Sequence, residues 1–288
     1  MQKAFDLVKN LNGKWYHNYG VAFCPAHENT KTPSLSISES PDGKLLLTCF
    51  AGCTFEAVTR ACRSRGLMES QQLSRNSFIA ENIKTTNTSS IAKKIWTQSK
   101  NIKSTIAARY LSRRGITAGL PSTLRFTENC KHTSGVWAPA MIARVDGASE
   151  FSIHRTYLDE NAFKSSLEPA KAMLGKTKGG HVKLTEFPNK KLLVCEGIET
   201  GLSLASGLMA DTPTIWACLS AVGIQNVKLP MAPSELIIAT DGDKAGILAG
   251  NLLAARAHAS GWSVSLLNAP AGQDFNDVLT GKSDGDAN

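Results

Sequence analysis

Apolar and polar positions change period several times along this chain, and each change marks an element. Leu192-Leu-Val-Cys195 and Leu236-Ile-Ile-Ala239 are short, continuous apolar runs. Runs of this length suit parallel strands covered on both faces. Ile198–Leu208 and Lys244–Ser260 carry helical patterns, and Thr214–Leu219 and Trp262–Leu267 read as further strands, with Ser220–Gly223 a loop. This alternation predicts an α/β fold, a largely parallel sheet with flanking helices. Upstream, Ala138–Val145 is a predicted strand, and Phe151–Leu158 alternates before a turn at Asp159-Glu-Asn161. Ile91–Gln98 and Thr105–Arg114 are predicted helices, the second stopped by Gly115. Near the N-terminus, Ser34–Ser38 alternates, Pro41-Asp-Gly43 turns, and Leu45–Leu47 follows as a second strand. Thr54 stands where a helix N-cap belongs. Glu69–Ser90, rich in Ser, Asn, Gln and Thr, reads as a flexible connector.

The two apolar runs end in acids: Glu196-Gly197 after the first, Asp241-Gly242-Asp243 after the second. Ligands of open α/β sheets bind beyond the carboxyl ends of the strands. Neighbouring strands would therefore aim Glu196, Asp241 and Asp243 at one place. Clustered carboxylates repel, and a hard divalent cation with oxygen ligands, Mg²⁺ or Mn²⁺, removes the conflict. Gly197 and Gly242 lack a Cβ, so the backbone there can turn sharply and a phosphate can approach. Metal-assisted phosphoryl transfer is the chemistry this set suits. Glu199 is either a supporting acid or favourable charge in the first turn of its helix.

Glu196-Gly, then Asp241-x-Asp243 after a second hydrophobic strand, resembles the Toprim domain. That fold is shared by bacterial (DnaG-like) primases, topoisomerases and some nucleases. The resemblance implies acid/base or metal-binding work for Glu196 and Mg²⁺ ligation by Asp241 and Asp243. Gly272-Gln-Asp-Phe-Asn-Asp277 resembles the third acidic element of primase Toprim domains. That adds Asp274 as a metal ligand, with Asn276 where an aspartate is expected and Asp277 adjacent. A capped helix start at Asp274 or Asn276 is the alternative reading.

Cys24-Pro-Ala-His27 and Cys49-Phe-Ala-Gly-Cys53 place two ligands on each of two tight turns. Cys24, His27, Cys49 and Cys53 suit a closed tetrahedral Zn²⁺ site, structural rather than catalytic, that folds a small domain. The pattern resembles the zinc-binding domain of bacterial-type primases, with one extra residue between the second pair of cysteines. Cys62, Cys195 and Cys218 lie in apolar patterns and read as buried thiols. Trp15 and Phe23 read as core residues near this ribbon.

The 288 residues leave room for two domains, and a net charge of +8 favours a polyanionic partner. Seven cysteines, an odd number, argue against a disulfide framework. With no apolar run of bilayer length and no signal-peptide core, the chain reads as cytoplasmic and without a membrane partner. Arg109, Arg113 and Arg114 cluster at one helix end, and lysines recur from Lys164 to Lys183. His154-Arg-Thr-Tyr157 and Lys171-Ala-Met-Leu-Gly175 resemble the basic subdomain that precedes Toprim in phage- and plasmid-borne primases. Arg155 and Lys171 are the leading candidates for nucleotide or nucleic-acid contact, with Lys176, Arg113 and Arg114 beside them.

The expected layout is a zinc ribbon over 1–68, a linker over 69–90, a basic α+β subdomain over 91–188, a Toprim subdomain over 189–280 and a disordered tail over 281–288. The resemblance implies a DNA-templated primase of a phage, plasmid or integrated element. Its partners would be single-stranded DNA, NTPs and a separate helicase, since no G-x4-G-K-[ST] motif is present. A Toprim nuclease and a non-catalytic single-strand-binding protein are the alternatives. A topoisomerase fits least, because no separate domain carries a strand-transfer tyrosine.

Overall fold

A computed structural model describes residues 2–16, 19–28, 33–40, 43–49, 51, 53–68, 88–188, 191–211 and 213–281. The chain divides into two compact units, Met1–Ile83 and Lys84–Asn288. Most of the expected connector, residues 69–87, and the tail, residues 282–288, lie outside the described residues.

In the first unit, β1 (Lys14–Trp15), β2 (Tyr19–Ala22), β3 (Leu35–Glu39) and β4 (Leu45–Cys49) form an antiparallel sheet in sequence order. Helix α1 (Gln2–Asn10) precedes it and α2 (Phe55–Ser64) follows. Thr54 caps α2, accepting from the amide of Ala57. Ala4, Leu7, Val8 and Leu11 recur at helical spacing and pack on Leu35, Ile37 and Leu47. Partly buried Trp15 packs against this core, as expected.

The second unit holds two sheets. One is antiparallel: β5 (Lys100–Asn101), β6 (Leu124–Lys131), β7 (Trp137–Val145), β8 (Ser152–Tyr157) and β9 (Lys171–Leu174), in that order. Helix α3 (Thr88–Gln98) covers it through Ala92 and Trp96, and α4 (Ile106–Arg113) is capped by Thr105. α3 begins inside the stretch read as connector, because Thr88-Ser-Ser90 continues its first turn.

The other sheet has the order β10-β12-β11-β13-β14. Its strands are β10 (Val182–Thr185), β11 (Lys191–Cys195), β12 (Thr214–Ala217), β13 (Glu235–Thr240) and β14 (Ser263–Asn268). All pairings are parallel except that of β10 with β12. Its helices are α5 (Ile198–Ser203), α6 (Ala221–Asn226), α7 (Lys244–Ala259) and α8 (Phe275–Thr280). Because β10 precedes residue 189, the sheet extends across the expected subdomain boundary.

Two local expectations are corrected. The helix expected to reach Leu208 stops at Ser203 and continues as a π turn, Leu204–Leu208, with Gly207 at φ 117°. Ser206 Oγ donates to Leu202 O and accepts from the amides of Thr117 and Ala118, which draws the chain out of the α-helical ladder. Ser220–Gly223 is not a loop: Ser220 caps α6 by accepting from the amide of Gly223.

The two sheets share one core. Leu124, Met141 and Ala143 from the first cluster with Leu193, Ile215 and Ala217 from the second. A two-way backbone pairing of Asp146 with His181 links them, at 2.8 and 2.9 Å. Cys62, Cys195 and Cys218 are buried.

Candidate functional site

In the first unit, Cys24 follows β2, His27 lies in the next turn, Cys49 ends β4 and Cys53 precedes α2. Leu35 pairs with both Ala22 and Cys49, so adjacent strands deliver the two ligand pairs side by side. One ligand atom from each of the four residues lies within 4.8 Å of all the others. His27 Nδ1 faces the sulfurs, 3.1 Å from Cys53 and 3.8 Å from Cys49, while its Nε2 lies 3.3 Å from Ser34 Oγ. Burial pushes the Cys24 thiol up to about 12 and raises that of Cys53. At Cys49 burial acts in the same sense, but amides of Cys53 and Ala51 outweigh it and lower the pKa. Three thiols this close cannot all ionise unaided, so the donor set fits a cation that neutralises them.

In the second unit, β11 and β13 are neighbours and parallel, with Cys195 paired to Ala239. Glu196 is the next residue on one strand, and Asp241 lies just past Thr240, the last residue of the other. Burial raises Glu196 to about 7, helped by the charges of Asp241 and Asp243. Burial raises Asp241 to about 6, helped by Asp274 and Asp243, although Thr200 Oγ1, 3.5 Å from Asp241 Oδ1, acts the other way. Asp241 thus senses Asp243 and Asp274, and Glu196 senses Asp241 and Asp243, across the sheet edge. No three of their oxygens lie within 4.8 Å of one another; among the described residues only the Cys/His set does so. The strained, oxygen-only donor set fits a hard divalent cation.

Helix N-termini surround these acids. Gly197 is the N-cap of α5, Asp243 accepts from the amide of Gly246 to cap α7, and Asp274 caps α8. Asp274 and Asp277 form a capping box. The second oxygen of Asp274 is 3.9 Å from the Arg114 guanidinium. Asp274 therefore caps a helix, as one reading expected, while its charge acts on Asp241. Asn276 is buried and its amide nitrogen donates to Arg114 O and Ser203 Oγ, which ties α8 down. Gly242 has a different use from the one expected. A Cβ there would meet Pro270 O at 1.8 Å, and its amide donates to Gln273 O. Its bare backbone docks the Asp241–Asp243 turn against the loop that carries Asp274.

The basic candidates separate. Lys171 in β9 reaches Glu199, with Nζ 2.9 Å from Oε2, and its charge lowers the pKa of both Glu196 and Asp241. Arg114 reaches the cluster through Asp274. Arg155 does not join them, which corrects its expected place. It shares a face of β8 with Ile153 and Tyr157, is buried, and donates to Lys131 O and Met173 O inside the fold. Arg113 stacks over Phe163, and Lys176 pairs on the surface with Glu150.

The sequence assigns no role to Tyr110 or Thr200, and of the two readings of Glu199 the structure favours the supporting acid. Tyr110 OH donates to Glu199 Oε1 at 2.8 Å. The available signal was spacing: residues three and four after Glu196 on a helix start return to the strand end. Tyr110 carries no such signal, because it lies on the buried face of α4 beside Ala107 and Leu111.

Among described residues no helix is long and apolar enough to cross a membrane. Residues 86–184 match a domain of unknown function (DUF7146), and residues 191–285 match the Toprim domain. No curated protein sequence matches the chain. Solved structures similar to it include the zinc-binding and RNA polymerase domains of the Aquifex aeolicus primase, at 15% identity, covering 98% of this chain and 80% of that one, TM-score 0.42. A DNA primase domain from Pseudomonas aeruginosa matches at 17% identity over 68% of this chain and 75% of that one, TM-score 0.39. The primase fragment of the bacteriophage T7 primase-helicase matches at 15% over 93% and 95%, TM-score 0.35. Likeness at this level carries no argument about activity. The parallel sheet with its acidic edge has a firmer assignment: residues 191–285 of this chain form a Toprim domain.

Proposed function

We propose that this chain is a DNA-templated primase that makes short RNA primers on single-stranded DNA by metal-dependent nucleotidyl transfer. One observation carries the reading. Glu196 and Asp241 end neighbouring strands of a Toprim domain, in a chain that also holds a Cys3His cluster. A Toprim edge alone serves several reactions; the Cys3His unit ahead of it favours primase over nuclease.

Asp241 and Asp243, with Glu196 and Asp274, would hold Mg²⁺ or Mn²⁺, which would offset the charge of the nucleotide phosphates. Lys171 would meet those phosphates from the antiparallel sheet, its ammonium already within electrostatic reach of Glu196 and Asp241. The primer 3′-hydroxyl oxygen forms a bond to the α-phosphorus, the bond to the bridging oxygen breaks, and pyrophosphate leaves. Glu196 would position a metal ion or the attacking hydroxyl at the end of its strand. In the first unit Cys24, His27, Cys49 and Cys53 would hold a structural Zn²⁺, all four positions filled by protein. That unit would help engage the template.

The test is incorporation of labelled NTPs on unprimed single-stranded DNA with Mg²⁺ or Mn²⁺. Short RNA products that vanish in Asp241→Ala/Asp243→Ala support the reading. Template shortening that depends on the same aspartates, without RNA products, overturns it in favour of a nuclease. Binding without either reaction overturns it in favour of a binding protein.

A further inference from the structure

Among the described residues near the cluster, Glu199 has both oxygens taken by side chains from other elements. It sits in the first turn of α5, 5% exposed. Tyr110 OH, from α4, donates to Oε1 at 2.8 Å, and Lys171 Nζ, from β9, donates to Oε2 at 2.9 Å. Three elements from both sheet layers therefore meet on one carboxylate. A buried charge is tolerated only when paired and hydrogen-bonded, and here both conditions hold.

The pair is asymmetric. The Lys171 side chain is 40% exposed, against 6% for Glu199. The acid is anchored in the interior while the side chain it holds is partly exposed. A lysine stem has four rotatable bonds, so an ammonium aimed at one place needs such an anchor. That place adjoins the carboxylate cluster: Thr200, the residue after Glu199, has its Oγ1 3.5 Å from Asp241 Oδ1, and the Lys171 charge acts on both Glu196 and Asp241. His154 lies on the same face of β8 as Thr156, the register partner of Lys171. Its Nδ1 is buried without a partner, and burial together with the Lys171 charge keeps the ring neutral. His154 therefore does not compete as a cation for Glu199.

We propose that Glu199 is a positioning residue: through its bond to Lys171 it holds that ammonium at the rim of the carboxylate cluster, where it takes the triphosphate of the incoming nucleotide. This rests on the nucleotidyl-transfer reading above. Glu199 itself touches no reactant.

The experiment is steady-state incorporation kinetics on the full, metal-loaded chain for wild type, Glu199→Gln, Lys171→Gln and the double variant. Glutamine keeps the shape and an acceptor for Tyr110 but removes the charge. We expect Glu199→Gln to raise the nucleotide KM about tenfold and to change kcat less than about threefold. In the Lys171→Gln background the same change should move KM by less than about twofold, because the interaction is already gone. Tyr110→Phe, which removes one hydroxyl, should raise KM about two- to threefold with kcat retained. It serves as the second variant should Glu199→Gln fail to fold. An active wild type whose KM is unchanged in these variants overturns the proposal. So does an equal loss in both Lys171 backgrounds, which would make Glu199 a support for the fold only. An inactive wild type instead overturns the nucleotidyl-transfer reading.

Discussion

Glu196 and Asp241 follow neighbouring parallel strands, with Cys195 paired to Ala239, and burial together with the charge of Asp241 raises the pKa of Glu196. The same edge that suits a cation is thus strained without one. Asp241→Asn removes a charge from this edge and keeps an acceptor for Thr200. In magnesium-free buffer at pH 8 we expect the variant to be more stable than wild type by about 1 kcal/mol, read from urea melts. Added Mg²⁺ should stabilise wild type and not the variant. Equal stability of the two without Mg²⁺ would show that the acids do not strain the fold.

Asp274 separates capping from charge. Asparagine caps helices nearly as well as aspartate, while alanine costs about 0.5–2 kcal/mol. Asp274→Asn should therefore melt within about 0.5 kcal/mol of wild type and Asp274→Ala about 1 kcal/mol lower. Both should lose nucleotide incorporation to a similar extent, because both remove the charge that Asp241 senses. Full activity in Asp274→Asn would leave this residue a helix cap alone.

Ser34 supports the metal cluster from behind, with Oγ 3.3 Å from His27 Nε2. Such outer partners fix ring orientation and are worth about 10–100-fold in metal affinity. We expect one zinc per chain by mass spectrometry, and about tenfold weaker zinc binding in Ser34→Ala by chelator competition. Unchanged affinity would mean that the ring is held by other contacts.

The parallel strands and their acids were legible because a covered strand must be apolar throughout, and Leu192–Cys195 and Leu236–Ala239 are. The Cys/His pairs were legible because metal spacing is local. Arg155 was misplaced for a physical reason. The alternation of β8 suggests one open face, but both faces are buried, and α3 packs on the face of Arg155. The connector was drawn too long because Thr88-Ser-Ser90 is polar, and their helix is held by Ala92 and Trp96 further on. Glu199 was visible as an acid but not as a junction, since Tyr110 lies 89 residues away in sequence.

His154 and His181 make the second unit acid-sensitive. Burial lowers His154 to about 3 and His181 to about 4. Both fall below the ordinary value near 6.5, so the unfolded chain takes up protons first as pH drops. Their contribution is full above about pH 6.5 and is lost as pH falls toward about 4 for His181 and about 3 for His154, about 2 kcal/mol for His181 by pH 5. His181 stacks on Trp216 at a centroid distance of 3.5 Å, and phenylalanine can keep that stack. His181→Phe should therefore lose about 2 kcal/mol less than wild type between pH 7 and 5, in urea melts at each pH. An identical pH profile would show that His181 titrates normally in the folded chain.

The carboxylate edge is tested most directly by electron paramagnetic resonance of Mn²⁺ binding, in wild type and in Asp241→Asn/Asp243→Asn, with and without ATP. We expect wild type to bind Mn²⁺, more tightly with ATP present, and the double variant to lose at least about tenfold in affinity while its zinc content is unchanged. Equal Mn²⁺ binding by the two proteins would contradict a catalytic cation site at the ends of β11 and β13.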